Sequence, residues 1–478
     1  MLSTAGAVFL SKHFRIRPAK IRAREASRGI GKMAFLETLA LPQEKRYWLR
    51  RARVPSCLLA NPVPGAAPDE DGAALLDLLI DGERIAAIAQ AGAAPASGDP
   101  AADLAGRHVW PALIDMHTHI DKGHAIPRVG NRDGSFAGAV EGTAADGAQY
   151  WSASDVERRM DFALRCAYAH GVAAIRTHID SPEDSAETKW GVFRLMRERW
   201  AGRIALQGVN LVPIDVYRTP YAVRLADLVA RSGGVLGAVT RASGGVHVGL
   251  LDDIDDLIDI VFRLAAERGL DLDLHVDESG DPAARALPRV ARAVLRNKFK
   301  GRVVCGHCCS LAIMPDDYVR ETLALCAEAG VSVVTLPTVN MYLQDRVPGR
   351  TPRWRGVTLI KELRRAGIPV AVAGDNCRDP FYAYGDHDMV DTLRQTIKIA
   401  HLDHPFGDVP AMAGPVPAAI IAAGPFGRIA VEGPAKLILF AARTLNELVC
   451  RPQSDRIVID RGRRVTGGLP DYSELDGG

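Results

Sequence analysis

Eight short apolar runs, separated by amphipathic stretches, constrain this chain more than any other feature of its sequence. They cover 109–114, 173–179, 204–213, 235–242, 270–275, 302–306, 331–336 and 368–374. Runs that are apolar throughout suit strands buried on both faces, and helices between such strands require parallel connections. Eight strand-then-helix repeats predict closure into a (β/α)8 barrel of the triosephosphate-isomerase type. An open doubly wound sheet is the competing α/β arrangement, but no Gly-x-Gly-x-x-Gly follows the first run. The intervening stretches carry helix signals. Ser154-Asp155-Val156-Glu157 reads as a capping box for a helix ending near His170, with Gly171 as its C-terminal cap. Asp316-Asp317 opens another, which Gly330 ends.

The two ends of the chain read differently. Segments 57–60, 75–80 and 85–89 are short strands, the last two joined by Asp81-Gly82-Glu83-Arg84 as a hairpin. Segments 435–440, 456–459 and 461–465 look alike. The expected organisation is a barrel over 109–427 and a small β-sandwich domain assembled from 33–108 and 428–478. The Pro/Ala/Gly-rich stretch 405–427 reads as a linker between the two more than as a cover for the barrel mouth. In residues 1–32, Lys12, Arg15, Arg17, Lys20, Arg22 and Arg24 all precede the first acid, Glu25. That basic extension resembles a transit peptide, but few serines accompany it, and a true start at Met33 is the favoured reading. It is set apart from the fold.

Composition narrows the partners. Fifty-nine Lys+Arg against 57 Asp+Glu give a formal charge of +2, which supplies no field that would select nucleic acid or an anionic membrane. No apolar run reaches the roughly 20 residues of a membrane-spanning helix. The expected partner is a small heterocyclic molecule, and a homo-oligomer is compatible with the sequence. Eight scattered cysteines show no paired framework, which fits a reducing, cytoplasmic setting. Cys308 and Cys309 beside His307 lack the Cys-x-x-Cys partner of a thiolate metal site.

Polar residues stand at the ends of the runs, where barrels of this kind place their reactive groups. His117 and His119 follow the first run, His178 and Asp180 the second, His275 the fifth and His307 the sixth; Asp375 follows the eighth. His117, His119, His275 and Asp375 suit one divalent ion, zinc or iron, with a position left for water whose pKa then falls toward about 7. Glu278, three residues beyond His275, is placed to take the water's proton and pass it on. His307 is a candidate to polarise a substrate oxygen or hold the attacking hydroxide, and Asp277 reads as structural. His178 and Asp180 are expected to hold the ligands in orientation. No lysine occurs between Lys189 and Lys298, so strands three to five cannot supply the carboxylated lysine that bridges two ions in many hydrolases of this fold. A single metal is expected.

Several segments resemble the amidohydrolase superfamily, and within it the cytosine deaminase branch. They are Met116-His117-Thr118-His119-Ile120-Asp121, Arg176-Thr177-His178-Ile179-Asp180, His275-Val276-Asp277-Glu278, Gly306-His307, the stretch 338–346 with its Asn340-x-x-Leu343-Gln344, and 374–381. The resemblance implies that His117, His119, His275 and Asp375 bind iron or zinc. It makes Glu278 the proton shuttle, His307 the partner of the attacked centre and Asp375 a further proton acceptor. The implied reaction is metal-dependent hydrolytic deamination of cytosine or a related amino-substituted heterocycle (5-methylcytosine, isocytosine, creatinine or a pterin), with a metal-bound hydroxide as attacker and ammonia as leaving group. The alternative is an N-isopropylammelide-type triazine amidohydrolase that releases an alkylamine. A barrel that binds without turnover has no use for Glu278. Departures from the branch fall on substrate contacts: Val212 and Pro213 where a pyrimidine-reading glutamine is expected, Asn376 for a second acid, and Phe381 for a ring-covering tryptophan. Lost amide contacts weaken discrimination, so the substrate need not be cytosine.

Overall fold

The computed structural model describes residues 35–93, 98–244, 249–452 and 455–476; the basic extension at 1–32 lies outside the described residues. Eight parallel strands form its centre: β1 (Leu113–Thr118), β2 (Val172–Asp180), β3 (Ala205–Leu211), β4 (Leu236–Val239), β5 (Leu272–Val276), β6 (Val303–His307), β7 (Ser332–Thr335) and β8 (Val370–Val372). They pair in chain order as one sheet of three and one of five. Parallel bridges Val209↔Val235 and Pro213↔Val239 join the β3 and β4 regions, and Thr118↔Asp375 joins β1 to a residue just beyond the end of β8. Pairing therefore runs from β1 to β8 and returns to β1.

The apolar runs serve both faces. Leu113, Ile175, Leu206, Leu236, Leu272 and Val303 pack outward on the helices in the main apolar cluster. Ile114, Ala174, Val304, Val334 and Ala371 belong to a separate cluster with Ala418, Ile420 and Ile421. At about 1.5–3 kcal/mol for each fully buried large aliphatic side chain, these clusters dominate stability. The 405–427 stretch is thus more than a linker: its helix Pro415–Ile420 packs against residues near the N-terminal ends of the strands, away from His117 and His275.

A smaller part is built from two four-stranded sheets. One contains Arg46–Pro55, Ala73–Asp81, Arg84–Gln90 and Ala101–Asp103; the other contains Val109–Pro111, Leu437–Phe440, Arg456–Asp460 and Arg463–Arg464. Leu49, Leu76 and Ile80 of the first share an apolar cluster with Val109, Leu437 and Ile459 of the second. The expected hairpin is present, with Asp81 opposite Arg84 and Gly82 at φ 60° in its two-residue turn.

Three local expectations are corrected. The first apolar run is two strands, because backbone bonding changes partner within it: Ala112 N–H donates to Lys436 O and Leu113 N–H to Gly171 O. Val109–Pro111 therefore lies in the small sheet, and the parallel set begins at Leu113 instead of residue 109. Segment 57–60 is not a strand; a 3-10 turn covers Ser56–Leu58. The strand lies earlier, at Arg46–Pro55, where Tyr47, Leu49, Ala52 and Val54 are buried and a register shift between Leu49 and Ala52 accommodates the arginines. Finally, Ser152 caps Ala153–Ala169, its hydroxyl accepting from Asp155 N–H at 3.2 Å.

Candidate active site

The C-terminal ends of β1, β5, β6 and β8 bring the predicted polar residues together. A register shift between Asp115 and Thr118 ends β1, and His119 stands on the turn just beyond. Asp375 N–H donates to His117 O at 2.8 Å, and the Thr118 hydroxyl donates to Asp375 O at 2.8 Å, so the last strand's loop is seated on the first. His307 and Asp375 both have left-handed backbone, φ 67° and 64°. Such residues cost of order 1–3 kcal/mol each and persist where surrounding contacts over-determine them.

His117 Nε2 lies 3.2 Å from His275 Nε2 and 3.6 Å from Asp375 Oδ1, and His119 Nε2 lies 3.1 Å from the same oxygen. Ligands held at about 2.1 Å around one ion stand roughly 3.0–3.5 Å apart, so this spacing fits a single divalent metal. Asp375 is buried, and neither carboxylate oxygen accepts a hydrogen bond among the described residues. A buried carboxylate left so is strongly disfavoured unless a cation satisfies it. Burial pushes the Asp375 carboxyl well above its ordinary range, with Glu278 and Asp379 adding to it, and holds His117, His119 and His275 well below theirs. The imidazoles are therefore neutral, the form that coordinates metal.

His178 and Asp180 part ways. The His178 ring lies 4.0 Å from that of His117, and its Nε2 is 3.3 Å from Asp273 Oδ1. Asp273 is in turn held by Arg176 Nη1 at 2.9 Å, so a buried polar network supports the cluster from below. One ring nitrogen of His178 also falls within 4.8 Å of those of His117, His119 and His275. Asp180, by contrast, bonds Lys122 Nζ at 3.1 Å and faces the cavity instead of orienting a ligand.

Glu278 sits beside His307, Oε1 to Nδ1 at 3.5 Å. Burial raises the Glu278 carboxyl to about 8, although Arg241 and Lys122 pull against it, so it is protonated at neutral pH. Burial lowers His307 to about 3. Its Nδ1 accepts from Asn340 Nδ2 at 2.9 Å, which assigns the remaining ring proton to Nε2. Gln344 donates to the backbone oxygen of Glu278 at 3.3 Å. Asp277 is structural, as expected: at φ 51° it accepts from Ala286 and Leu287 N–H at 2.8 and 2.9 Å, at the start of helix Leu287–Arg296.

His119, His275 and Glu278 open onto a cavity of 640 Å³. Val212, Pro213 and Phe381, the residues expected to touch substrate, line it. Asn376 does not: its amide donates to Asp379 Oδ2 at 2.7 Å and faces a different cavity. Asp379 explains this, since its other oxygen collects the Phe381 and Tyr382 N–H groups, which leaves one oxygen to be satisfied by the asparagine. Lining residues that sequence reasoning missed are Lys122, Arg241, Phe136 and Trp151. Arg241 lies within the fourth run's end, the position that flagged the histidines; Lys122 immediately follows the His-x-His-Ile-Asp motif.

Comparison with known proteins agrees with this arrangement. Residues 232–465 match the amidohydrolase family. The chain belongs to the amidohydrolase superfamily, in its deaminase branch. A pterin deaminase of Rhizobium rhizogenes (strain K84 / ATCC BAA-868) is 47% identical over 436 residues, spanning 91% of this chain and 97% of that protein. An N-isopropylammelide isopropyl amidohydrolase of Pseudomonas sp. (strain ADP) is 26% identical over 299 residues, or 60% of this chain and 68% of the relative. Among solved structures, 5-methylcytosine deaminase from Klebsiella pneumoniae liganded with 5-fluorocytosine superposes with a TM-score of 0.74 at 22% identity, covering 89% of this chain and 98% of that one. Such neighbours imply a mixed α/β barrel of the triosephosphate-isomerase type, and members of the superfamily use a divalent metal. Among the described residues, no helix is long and apolar enough to cross a membrane.

Proposed function

We propose that this chain hydrolytically deaminates a pterin-type heterocycle, converting the carbon that bears an exocyclic amine between two ring nitrogens into a carbonyl and releasing ammonia. The carrying observation is Glu278, kept protonated by burial beside His307 and a metal-fitting donor set, at the edge of a 640 Å³ cavity. The 47% identity to a pterin deaminase supports the substrate class. The central strands are read as a closed (β/α)8 barrel and the two smaller sheets as a β-sandwich.

His117, His119, His275 and Asp375 would hold one divalent ion, iron or zinc. Bound there, the ion would supply Lewis-acid activation of water at neutral pH. Glu278 exchanges protons between water and the substrate, delivering one to the exocyclic amine, which is a poor leaving group until protonated. His307 keeps its Nε2 proton and donates it as a hydrogen bond that positions the attacking oxygen, and Asp375 accepts the water's second proton as that oxygen becomes the carbonyl. Phe136, Trp151 and Phe381 offer aromatic walls to a flat bicycle, and Lys122 with Arg241 offer donors to its carbonyl edge.

Release of an alkylamine from an N-alkylamino triazine is the second reading, supported by the likeness to the N-isopropylammelide enzyme. Separate loading with iron and zinc, followed by assay of ammonia from pterin, cytosine and isocytosine and of isopropylamine from N-isopropylammelide, distinguishes the two. The expected result is ammonia from pterin with the highest kcat/KM, lost in Glu278→Gln. Isopropylamine release without turnover of pterin would overturn the proposal.

A further inference from the structure

A second group of metal-type side chains stands apart from the cavity. His124 lies on the turn after β1, Cys377 on the loop after β8, and His387 just before helix Met389–Ile399. All three are buried, at 4%, 3% and 6% exposure, and one ligand atom from each falls within 4.8 Å of the other two. The His124 and His387 rings are 5.4 Å apart, close to the 5.6 Å of His117 to His119 and the 5.5 Å of His119 to His275.

Their hydrogen bonding is incomplete in the way a ligand set requires. Among the described residues, neither ring nitrogen of His124 has a hydrogen-bond partner, nor does His387 Nε2. Phe162 packs edge-on against His124, its ring 4.8 Å away, which leaves that side dry. The backbone N–H of His387 is hydrogen-bonded to the Cys377 sulfur. Backbone bonds tie the two loops together as well: His124 N–H to Cys377 O at 2.9 Å and Ile126 N–H to Arg378 O at 2.8 Å.

We propose that His124, Cys377 and His387 form a second metal site that binds one zinc-class ion, separate from the catalytic donors. Two imidazoles and a thiol select borderline transition ions such as zinc over magnesium or calcium, which favour oxygen. Binding converts the Cys377 thiol to a metal thiolate and releases its proton to solvent, with no change of oxidation state. Cys377 and His387 also line a 480 Å³ cavity that includes His170, Asp386 and Arg456, from which water can complete the coordination. The ion would clamp the β1 turn to the β8 loop two residues beyond Asp375. This assignment is independent of the deaminase reading.

The test uses the full chain, loaded with zinc, freed of excess and measured for metal content. Wild type should hold about two ions, His117→Ala/His119→Ala about one, and Cys377→Ser about one. Cobalt loading reports the thiolate: its near-ultraviolet charge-transfer band should persist in His117→Ala/His119→Ala and vanish in Cys377→Ser. If Cys377→Ser fails to fold, His387→Gln carries the same metal count. No metal and no thiolate band in His117→Ala/His119→Ala would overturn the proposal and leave a buried water between the two imidazoles as the occupant.

Discussion

The two sides of the active cavity bury ionisable groups to similar depth and obtain opposite charge states. On the side formed by β5, β6 and β8, burial lifts Glu278 to about 8, and it drives His307 to about 3. These groups are neutral because desolvation outweighs the charges around them, Arg241 and Lys122 in the case of Glu278. Against β1 and β2, Lys122 bonds Asp180 at 3.1 Å, and Lys189, stacked on Trp151, bonds Asp121 at 3.0 Å. There burial also opposes ionisation, but Lys122 brings Asp180 below its ordinary value, and Asp180, Asp121 and Asp379 raise Lys122 above its own. One wall is thus able to exchange protons near neutral pH, while the Lys122–Asp180 pair on the other is held in charge and suited to presenting fixed donors and acceptors, although burial lowers Lys189. Burial sets the cost, and whether the surrounding counter-charges outweigh it decides the state of the side chain.

Removing the proton carrier is the severest way to test that contrast. Glu278→Gln should lower kcat by about 10²–10⁴-fold with metal content unchanged, as steady-state kinetics and metal analysis will report. A comparable kcat loss in a Lys122 variant would break the contrast by putting proton transfer on both walls. Lys122→Met should instead act first on stability, by about 3 kcal/mol in urea unfolding, because it leaves Asp180 without its partner in a largely buried position. Lys122→Met/Asp180→Leu should recover much of that loss; if the double variant is no better than the single, the pair is not a unit.

The pH dependence of the metal-free protein sharpens the comparison. Glu278 holds its proton to about 8 when folded against an ordinary 4.5, so folding takes up a proton between these values. Stability is therefore greatest below about 4.5 and falls as pH rises toward 8, by roughly 2–4 kcal/mol from this group. Urea midpoints of the chelated protein should show that decline, and Glu278→Gln should make it shallower, with the buried Asp375, Asp115, Asp277 and Asp379 carboxyls, all raised by burial, keeping the rest. The smallest effect belongs to Phe381→Leu, which loses the ring 4.9 Å from Lys122 Nζ. About 0.5–1 kcal/mol, or a two- to five-fold rise in KM at nearly constant kcat, is expected.

The contrast also marks what the sequence made legible. Strand positions were readable because apolar runs must recur wherever strands are covered on both faces, and His117, His119, His275, His307 and Asp375 stood out as polar residues closing those runs. The division of the first run was hidden because Val109 and Leu113 are equally apolar, although one serves the small sheet and the other β1. Arg46–Pro55 was hidden by Arg50, Arg51 and Arg53, whose charged ends obscure the buried alternation. Lys122 and Asn376 owe their roles to partners distant in sequence or bent back by a loop, Asp180 and Asp379, which no local pattern specifies. Likewise, His124, Cys377 and His387 lie on three loops with no shared periodicity.

The seam between β1 and the end of β8 has one more consequence. Thr118 and Asp375, 257 residues apart, meet there beside His117 and His119. No fragment that lacks either end of this span can assemble the full donor set, so a metal ion held by these residues would bind only after both ends are in place. An ion that binds only the assembled donor set would also pull the folding equilibrium toward it. Metal supply during synthesis should therefore govern how much full-length chain reaches the native state, apart from any effect on turnover.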